Sequence, residues 1–251
     1  MSVVTTPAIL LRSHPYSETS RILRFFTRDA GVVATMAKGI RKSGGKRGGS
    51  ELTFGEGPLT FYQKESRDLQ THGDFHLETP RSQLAARPLA FAGASALAEV
   101  VLQHAGSDAN PGLFQALSKG LDRLTTCPTE TLLPVFLLEL WGLVVELGYE
   151  PSITTCVACG RPVEEDGMGR LDFASGGIRC PDCWEGSQGP RLGPTARRQL
   201  QSLVSGSLDE VLIRPRAHLR LISDFITYHI SGGTPLRSME VLANLIPKDH
   251  A

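Results

Sequence analysis

The 251-residue sequence lacks a net charge of either sign, with 26 Lys and Arg against 26 Asp and Glu. It also lacks a membrane-length apolar run. The longest, Leu132–Leu147, is about sixteen residues, short of the ~20 a bilayer requires, and carries Pro134, Glu139 and Glu146. The start, Met1-Ser2-Val3-Val4, has no basic leader region, and the apolar stretch Pro7–Leu11 is too short for a signal core and runs straight into Arg12. A cytoplasmic protein is therefore expected. Signature motifs of catalysis are missing too. The glycine-rich stretch Gly39–Arg47 has no G-K-[ST] ending at the required offset, and there is no G-x-G-x-x-G, H-E-x-x-H or G-x-S-x-G. Nothing in these motifs points to nucleotide hydrolysis, dinucleotide binding or the common hydrolase chemistries, and no catalytic residue is assigned. What remains is an ordinary folded composition, 41% hydrophobic and 21% charged, which excludes a disordered or low-complexity chain.

The neutral total conceals a strong asymmetry. Residues 1–50 hold nine Lys and Arg against two acids, residues 51–190 nine against nineteen, and residues 191–251 eight against five. A local positive field attracts polyanions whatever the sum over the chain. The basic region also reads as strand. Val4–Arg12, Ser20–Thr27, Val32–Lys38, Leu59–Gln63 and Leu69–Phe75 are short, rich in β-branched and aromatic residues, and separated by turn chemistry such as Asp29-Ala30-Gly31. Five strands in under 80 residues predict a small barrel. Beyond residue 80 the period becomes helical, over Leu89–Gln103, Asn110 to about Leu124, Thr131–Leu147, Thr195–Val204, Pro215–Ile230 and Leu236–Leu245. The expected organisation is α+β and multi-domain: a barrel over 1–79, then a helical domain over 80–251 with a cysteine-bearing insertion at about 150–190.

That insertion holds Cys156-Val157-Ala158-Cys159 and, twenty residues on, Cys180-Pro181-Asp182-Cys183. Each C-x2-C turn aims two sulfurs at one centre, so the pair of turns offers four thiolates for a tetrahedral ion. Cys156, Cys159, Cys180 and Cys183 are the predicted ligands of one structural zinc ion; an iron–sulfur cluster uses the same donors. With four protein ligands no coordination position is left open for chemistry. Six acids against three arginines across 151–190 argue against phosphate contact by this module, so it is expected to brace the helical body. Cys127 lies outside the pattern and reads as a plain thiol.

The barrel carries the functional candidates. Lys38, Arg41, Lys42, Lys46 and Arg47 fall within ten residues and are interleaved with glycines, so the loop can follow a phosphate backbone. Arg12 and Arg24 are expected on an outward face of neighbouring strands, with Arg21 and Arg28 adding charge. Phe25, Phe54, Phe61 and Tyr62 are candidate base-stacking platforms, although Phe25 and Phe61 fit the barrel core better. A positive groove with aromatics on a small barrel is suited to single-stranded nucleic acid. His72, Asp74 and His76 alternate along one strand and are expected to share a face, as a metal or proton-shuttle trio or, more plainly, a polar strand surface. Two competing readings are a protein-interaction scaffold whose loop takes acidic partners, and a zinc-dependent hydrolase or nuclease.

Several phrases of the sequence resemble one family. Tyr16-Ser17-Glu18-Thr19-Ser20, Phe26-Thr27-Arg28-Asp29-Ala30-Gly31, Ala37-Lys38-Gly39-Ile40-Arg41-Lys42 and Leu236-Arg237-Ser238, in this order and with the four cysteines, look like segments of the bacterial RecO recombination mediators and DNA repair proteins. The resemblance implies an N-terminal OB-fold, binding of single- and double-stranded DNA, and strand annealing. It also implies partnership with RecR and the single-strand binding protein SSB in loading the recombinase RecA. It places DNA contacts at Lys38, Arg41 and Lys42; Lys46 and Arg47 extend that set by charge alone. In this setting the acidic, apolar-ended tail of SSB is expected against the basic C-terminal helices, at Arg197, Arg198, Arg214, Arg216 and Arg220 beside Leu219, Ile222 and Phe225.

Overall fold

The computed structural model describes residues 2–39, 53–209 and 211–246. It divides into two compact units, Met1–Thr126 and Cys127–Ala251.

In the first unit, β1 (Ser2–Pro15), β2 (Arg21–Thr27), β3 (Gly31–Ala37), β4 (Glu56–Gln63) and β5 (Leu69–Phe75) close a barrel in the order β1-β2-β3-β5-β4. Only β3 and β5 are parallel; the ring closes through the antiparallel β1–β4 pair. This is the five-stranded, OB-like arrangement expected from the strand count and the resemblance. β1 is longer than its apolar core suggests because it serves two neighbours: Ser2–Ile9 pairs with β4, and Ala8–Pro15 with β2. A register shift between Leu10 and Arg12 lets one strand bend between both.

The β2–β3 turn follows its chemistry. The Thr27 hydroxyl accepts from the Ala30 N–H at 3.0 Å, the Thr6 hydroxyl donates to Asp29 at 2.8 Å, and Gly31 sits at φ 58. A Cβ on Gly31 would lie 2.3 Å from the Gly106 carbonyl oxygen, so only glycine fits there. Inside, Ala8, Leu10, Leu23, Phe25, Val33, Ala37, Leu59 and Phe61 form the core. Burying each large side chain among them contributes roughly 1.5–3 kcal/mol. The helices α1 (Pro88–His104) and α2 (Pro111–Thr126) belong to this same unit. The Asn110 side chain caps α2 by accepting from the Leu113 N–H at 2.9 Å. Leu113, Leu117, Leu121 and Leu124 then line one buried stripe, and Phe114 meets Phe26 of the barrel at 6.0 Å.

A buried arginine joins these parts. Arg81 is only 2% exposed and donates to Asp122 (2.7 Å), Glu56 (2.8 Å), the Phe54 carbonyl (2.8 Å) and the Ser118 hydroxyl (3.0 Å). Fork geometry lets one guanidinium satisfy both carboxylates and the backbone at once, which a lysine could not do.

The second unit is built around α3 (Leu132–Glu146), buried on nearly all sides and ended where Gly148 turns at φ 87. Beside it come β6 (Gly169–Asp172), β7 (Gly177–Arg179) and β8 (Arg191–Leu192) in one small sheet, then α4 (Pro194–Val204), α5 (Pro215–His229) and α6 (Arg237–Leu245). α4 and α5 pack on α3, where Trp141 meets Phe225 at 5.2 Å. The β6–β7 hairpin is the short hairpin expected between the two C-x2-C turns. β8 lies outside the elements expected from sequence; two residues are too few to leave a periodic signal.

Candidate nucleic-acid surface and four-cysteine centre

On the barrel, Arg12 and Arg24 are directly opposed across β1 and β2. Opposed residues of an antiparallel pair project from the same face with Cβ atoms about 4.5–5.5 Å apart, and like charges so placed repel. The register shift before Arg12 is what turns it outward, because Leu10, two residues earlier, points inward with Phe25. Among the described residues no carboxylate pairs with Arg12, Arg24 or the exposed Lys38 just beyond β3. Arg28 differs: it pairs with Asp29 at 2.9 Å, and that hydrogen bond, with one from Thr6, holds the Asp29 carboxyl below the usual carboxylate range. Arg21 is tethered to Ser13 through a 2.7 Å bond. Arg41, Lys42, Lys46 and Arg47 lie outside the described residues.

The aromatic candidates separate by burial. Phe25 and Phe61 are core, and Phe54 is buried against Phe91 at 5.4 Å. Tyr62 remains open at 38% exposure. Tyr16, 61% exposed in the turn between β1 and β2, is a stacking candidate missed from sequence, where it enters only as part of the phrase that carries the family resemblance.

The histidine trio does not share a face. The β4–β5 register shifts between Thr60 and Phe61, so His72 opposes the core residue Phe61 while Asp74 opposes Thr60. The extra residue is Gly73, whose backbone lies so close to Thr60 that an added Cβ would sit 2.7 Å from its carbonyl oxygen. His72 stacks on Phe25 with centroids 6.1 Å apart and meets the Thr35 hydroxyl at 3.2 Å. Burial pushes its pKa down, with Asp74 pulling partly back. It is a half-buried imidazole packed on the core, held toward its neutral form, and the expected trio is corrected accordingly.

The basic C-terminal face is corrected as well. Arg197 is buried and donates to the carbonyls of Val163 (3.1 Å), Glu164 (2.9 Å) and Gly167 (2.7 Å). Arg216 donates to Ile246 and Ala243 carbonyls at the end of α6. Leu219, Ile222 and Phe225 are buried in the second unit's core, so the apolar half of that expected surface is not available.

The four cysteines do converge. The sulfurs of Cys156, Cys159, Cys180 and Cys183 all lie within 4.8 Å of one another, and those of Cys159 and Cys180 are 3.9 Å apart. A zinc ion with four sulfurs at about 2.3 Å implies an edge near ~3.8 Å, so the donor set fits that ion. Each turn is held by its own backbone: the Gly160 N–H donates to the Cys156 carbonyl and the Cys183 N–H to the Cys180 carbonyl, both at 2.9 Å. Gly160, at φ 71, supplies the left-handed residue that closes the first. Electrostatics shows what the cluster needs. Burial opposes the Cys156 thiolate, yet the N–H groups of Cys180, Cys159 and Ala158 outweigh it and bring its pKa to about 6. The Arg161 guanidinium lowers Cys159. Cys183 is pushed up to about 12, first by the neighbouring Cys180 and then by Cys159. Sulfurs this close cannot all ionise unless a cation compensates them, and a divalent ion does so.

Comparison with known proteins agrees with these observations. The family model "Recombination protein O N terminal" matches residues 1–78, and "Recombination protein O C terminal" matches residues 86–240. The chain belongs to the RecO family. Among its relatives, the DNA repair protein RecO of Desulfatibacillum aliphaticivorans is 31% identical over 98% of both chains. That of Salinibacter ruber is 28% identical over 97% of this chain and 95% of its own. The first RecO domain covers the barrel and the second runs from the start of α1 into α6, taking in all four cysteines. None of the helices described is long and apolar enough to cross a membrane.

Proposed function

We propose that this RecO-family protein is a non-enzymatic recombination mediator. It binds single- and double-stranded DNA through its barrel, anneals complementary strands and, with RecR, helps load RecA onto SSB-coated single strands in the bacterial cytoplasm. The observation that carries the DNA-binding part is the Arg12–Arg24 pair. Two like charges opposed on the outer barrel face, Arg12 exposed and Arg24 half-buried, with no carboxylate among the described residues to quench them, repel in the free protein and attract a phosphate backbone. Lys38 continues this surface, and Arg41, Lys42, Lys46 and Arg47 follow it in sequence. Phosphate contacts of this kind position a strand and carry no sequence information, which suits annealing of any complementary pair. Tyr62 and Tyr16 are available for base stacking.

The barrel over 1–79 is the DNA-binding module, and the helical part over 80–251 carries the cysteine insertion. Cys156, Cys159, Cys180 and Cys183 hold one structural zinc ion per chain, which would tie the two turns together and leave no position open for substrate. Around that centre the chain's own residues do the bracing: Arg197 of α4 grips the 163–167 loop through three carbonyls.

The test is charge reversal of Arg12, Arg24 and Lys38 to Glu in the full-length protein, with single-stranded DNA titrated at several salt concentrations. Affinity should fall more than about tenfold at low salt, and the log–log salt slope should shrink by roughly 0.7 for each phosphate that is no longer neutralised. An unchanged affinity with an unchanged slope would reject the surface; retained binding to an acidic protein partner alone would favour the scaffold reading.

A further inference from the structure

The second unit contains a cavity of about 650 Å³, within the size range of small-ligand sites, that the proposed DNA surface and the cysteine centre do not use. Two helices begin at it. Gly193, Thr195 and Ala196 at the start of α4 line one side, and Arg214 and Ala217 at the start of α5 line another. Neither helix has a side-chain cap, so their positive dipole ends meet the cavity without a built-in anion.

Three arginines join them. Arg191, Arg214 and Arg220 line the cavity, and among the described residues no carboxylate forms an ion pair with any of them. Asp224 is the one acidic side chain in the lining. The excess is therefore two positive charges.

The decisive group is His218. It is 4% exposed, lines the cavity, and its Nδ1 has no hydrogen-bond partner. The Gln199 amide nitrogen donates to the Val211 carbonyl at 2.7 Å, so its oxygen is the atom that meets His218 Nε2 at 3.2 Å. Nε2 therefore carries the proton, and Nδ1 keeps an unused lone pair in a buried place. An unsatisfied buried acceptor costs about 1–3 kcal/mol unless a ligand donor or a water reaches it.

We infer that this cavity binds a nucleoside 5′-phosphate, either as a free nucleotide or as the phosphorylated 5′ end of a DNA strand. The three parts of such a ligand have three matching parts in the lining. A phosphate monoester carries about −1.5 to −2 charge at pH 7, which balances the arginine excess and suits two helix N-termini. Sugar hydroxyl or base amino donors satisfy His218 Nδ1 and Asp224. The flat base finds the apolar surface of Phe173 and Leu221. A single peptide carboxylate, as a monoanion, would leave part of the excess uncompensated; an acidic peptide with several carboxylates is the competing occupant that the displacement experiment below separates. The strand-end form rests on the DNA-binding reading above; the free-nucleotide form does not.

Arg191 provides the readout, since its guanidinium lies 5.0 Å from the ring centroid of Trp184, while the other tryptophan, Trp141, is fully buried. In the full-length protein, thymidine 5′-monophosphate should change Trp184 fluorescence saturably, and thymidine should not. A 5′-phosphorylated oligonucleotide should bind about tenfold more tightly than the same strand with a 5′-hydroxyl, on the scale of one charge-assisted hydrogen bond. Arg214→Glu with Arg220→Glu, both exposed positions, should abolish both effects and leave the affinity for the 5′-hydroxyl strand within about twofold. Arg191→Gln is a second variant that leaves the helices intact and should weaken the phosphate preference in the same direction. Arg12→Glu with Arg24→Glu should lower overall strand affinity and spare the nucleotide response, so failure of one reading does not mask failure of the other. A response to the monophosphate without an end preference assigns the site to free nucleotide. Equal responses to monophosphate and nucleoside, or displacement by an acidic peptide with no response to monophosphate, overturn the inference.

Discussion

Arginine does opposite work in the barrel hairpin and in the cysteine module. Within the cysteine insertion the three arginines are committed, Arg161 to Asp182 at 2.9 Å, Arg179 to Asp172 at 2.6 Å and Arg170 to the Gly189 carbonyl at 2.8 Å, and Arg197 of α4 adds three carbonyls. On the barrel, Arg12 and Arg24 face each other with no such partner among the described residues. The first set holds a fold together; the second stores repulsion that a polyanion can relieve. Partners, and not the number of cations, separate a bracing arginine from a binding one.

The comparison breaks most visibly at the metal. Cys180→Ser removes one of four ligands and should cost the second unit at least about 4 kcal/mol, read as a lowered melting temperature together with loss of about one zinc per chain by elemental analysis. A melt that does not move would mean the sulfurs pack without an ion, and iron in place of zinc would reassign the centre. Arg81→Met comes next. It leaves the buried Phe54 carbonyl without its donor and the partly buried Glu56 without its cation, while Asp122 is solvated, so about 1–3 kcal/mol should be lost in chemical denaturation, although Arg81 touches neither proposed site.

How much of the molecule is legible in its sequence follows from the range of each signal. The barrel strands, the helices and the four ligands rest on local patterns: period-two alternation, the Asn110 cap, two C-x2-C turns. All survive because nearby residues decide them. The two register shifts do not show in sequence. One turns Arg12 outward beside Arg24; the other splits His72 from Asp74. Each depends on which strand lies opposite, a non-local fact. The expectation fails at Arg197 and Arg216 for a related reason, while Arg214 and Arg220 stay exposed. A guanidinium bound to carbonyls, as in Arg197 and Arg216, looks like a solvated one until its neighbours are known. Grouping α1 and α2 with the barrel is equally non-local, because it depends on Arg81 and Phe114 reaching across the chain.

A smaller effect sharpens the contrast by its sign. Arg12→Ala relieves the repulsion with Arg24, so it should raise stability by a few tenths of a kcal/mol to about 1 kcal/mol, and it should weaken single-strand binding about three- to tenfold. Arg161→Ala should do neither; it removes an ion pair screened by solvent on both sides and leaves DNA affinity unchanged. Thermal melts and DNA titrations on the two variants decide it. If Arg12→Ala lowered stability, the arginine would be a bracing residue after all.

The weakest expected effect is on pH. Burial pushes the His72 and His218 pKa values below the ordinary one, with Asp74 partly opposing the shift at His72. The unfolded chain gains protons near pH ~6.5 that the folded imidazoles resist. Above that pH both states hold them neutral and stability is full; below it the unfolded state binds more protons, so stability falls as pH drops toward and through the depressed folded values. His72→Gln should flatten this dependence in the barrel and leave the part due to His218. Denaturation curves between about pH 7 and pH 5 measure it. A dependence that stays the same in His72→Gln would place the titrating group elsewhere and leave the His72–Phe25 stack a packing arrangement with no electrostatic cost.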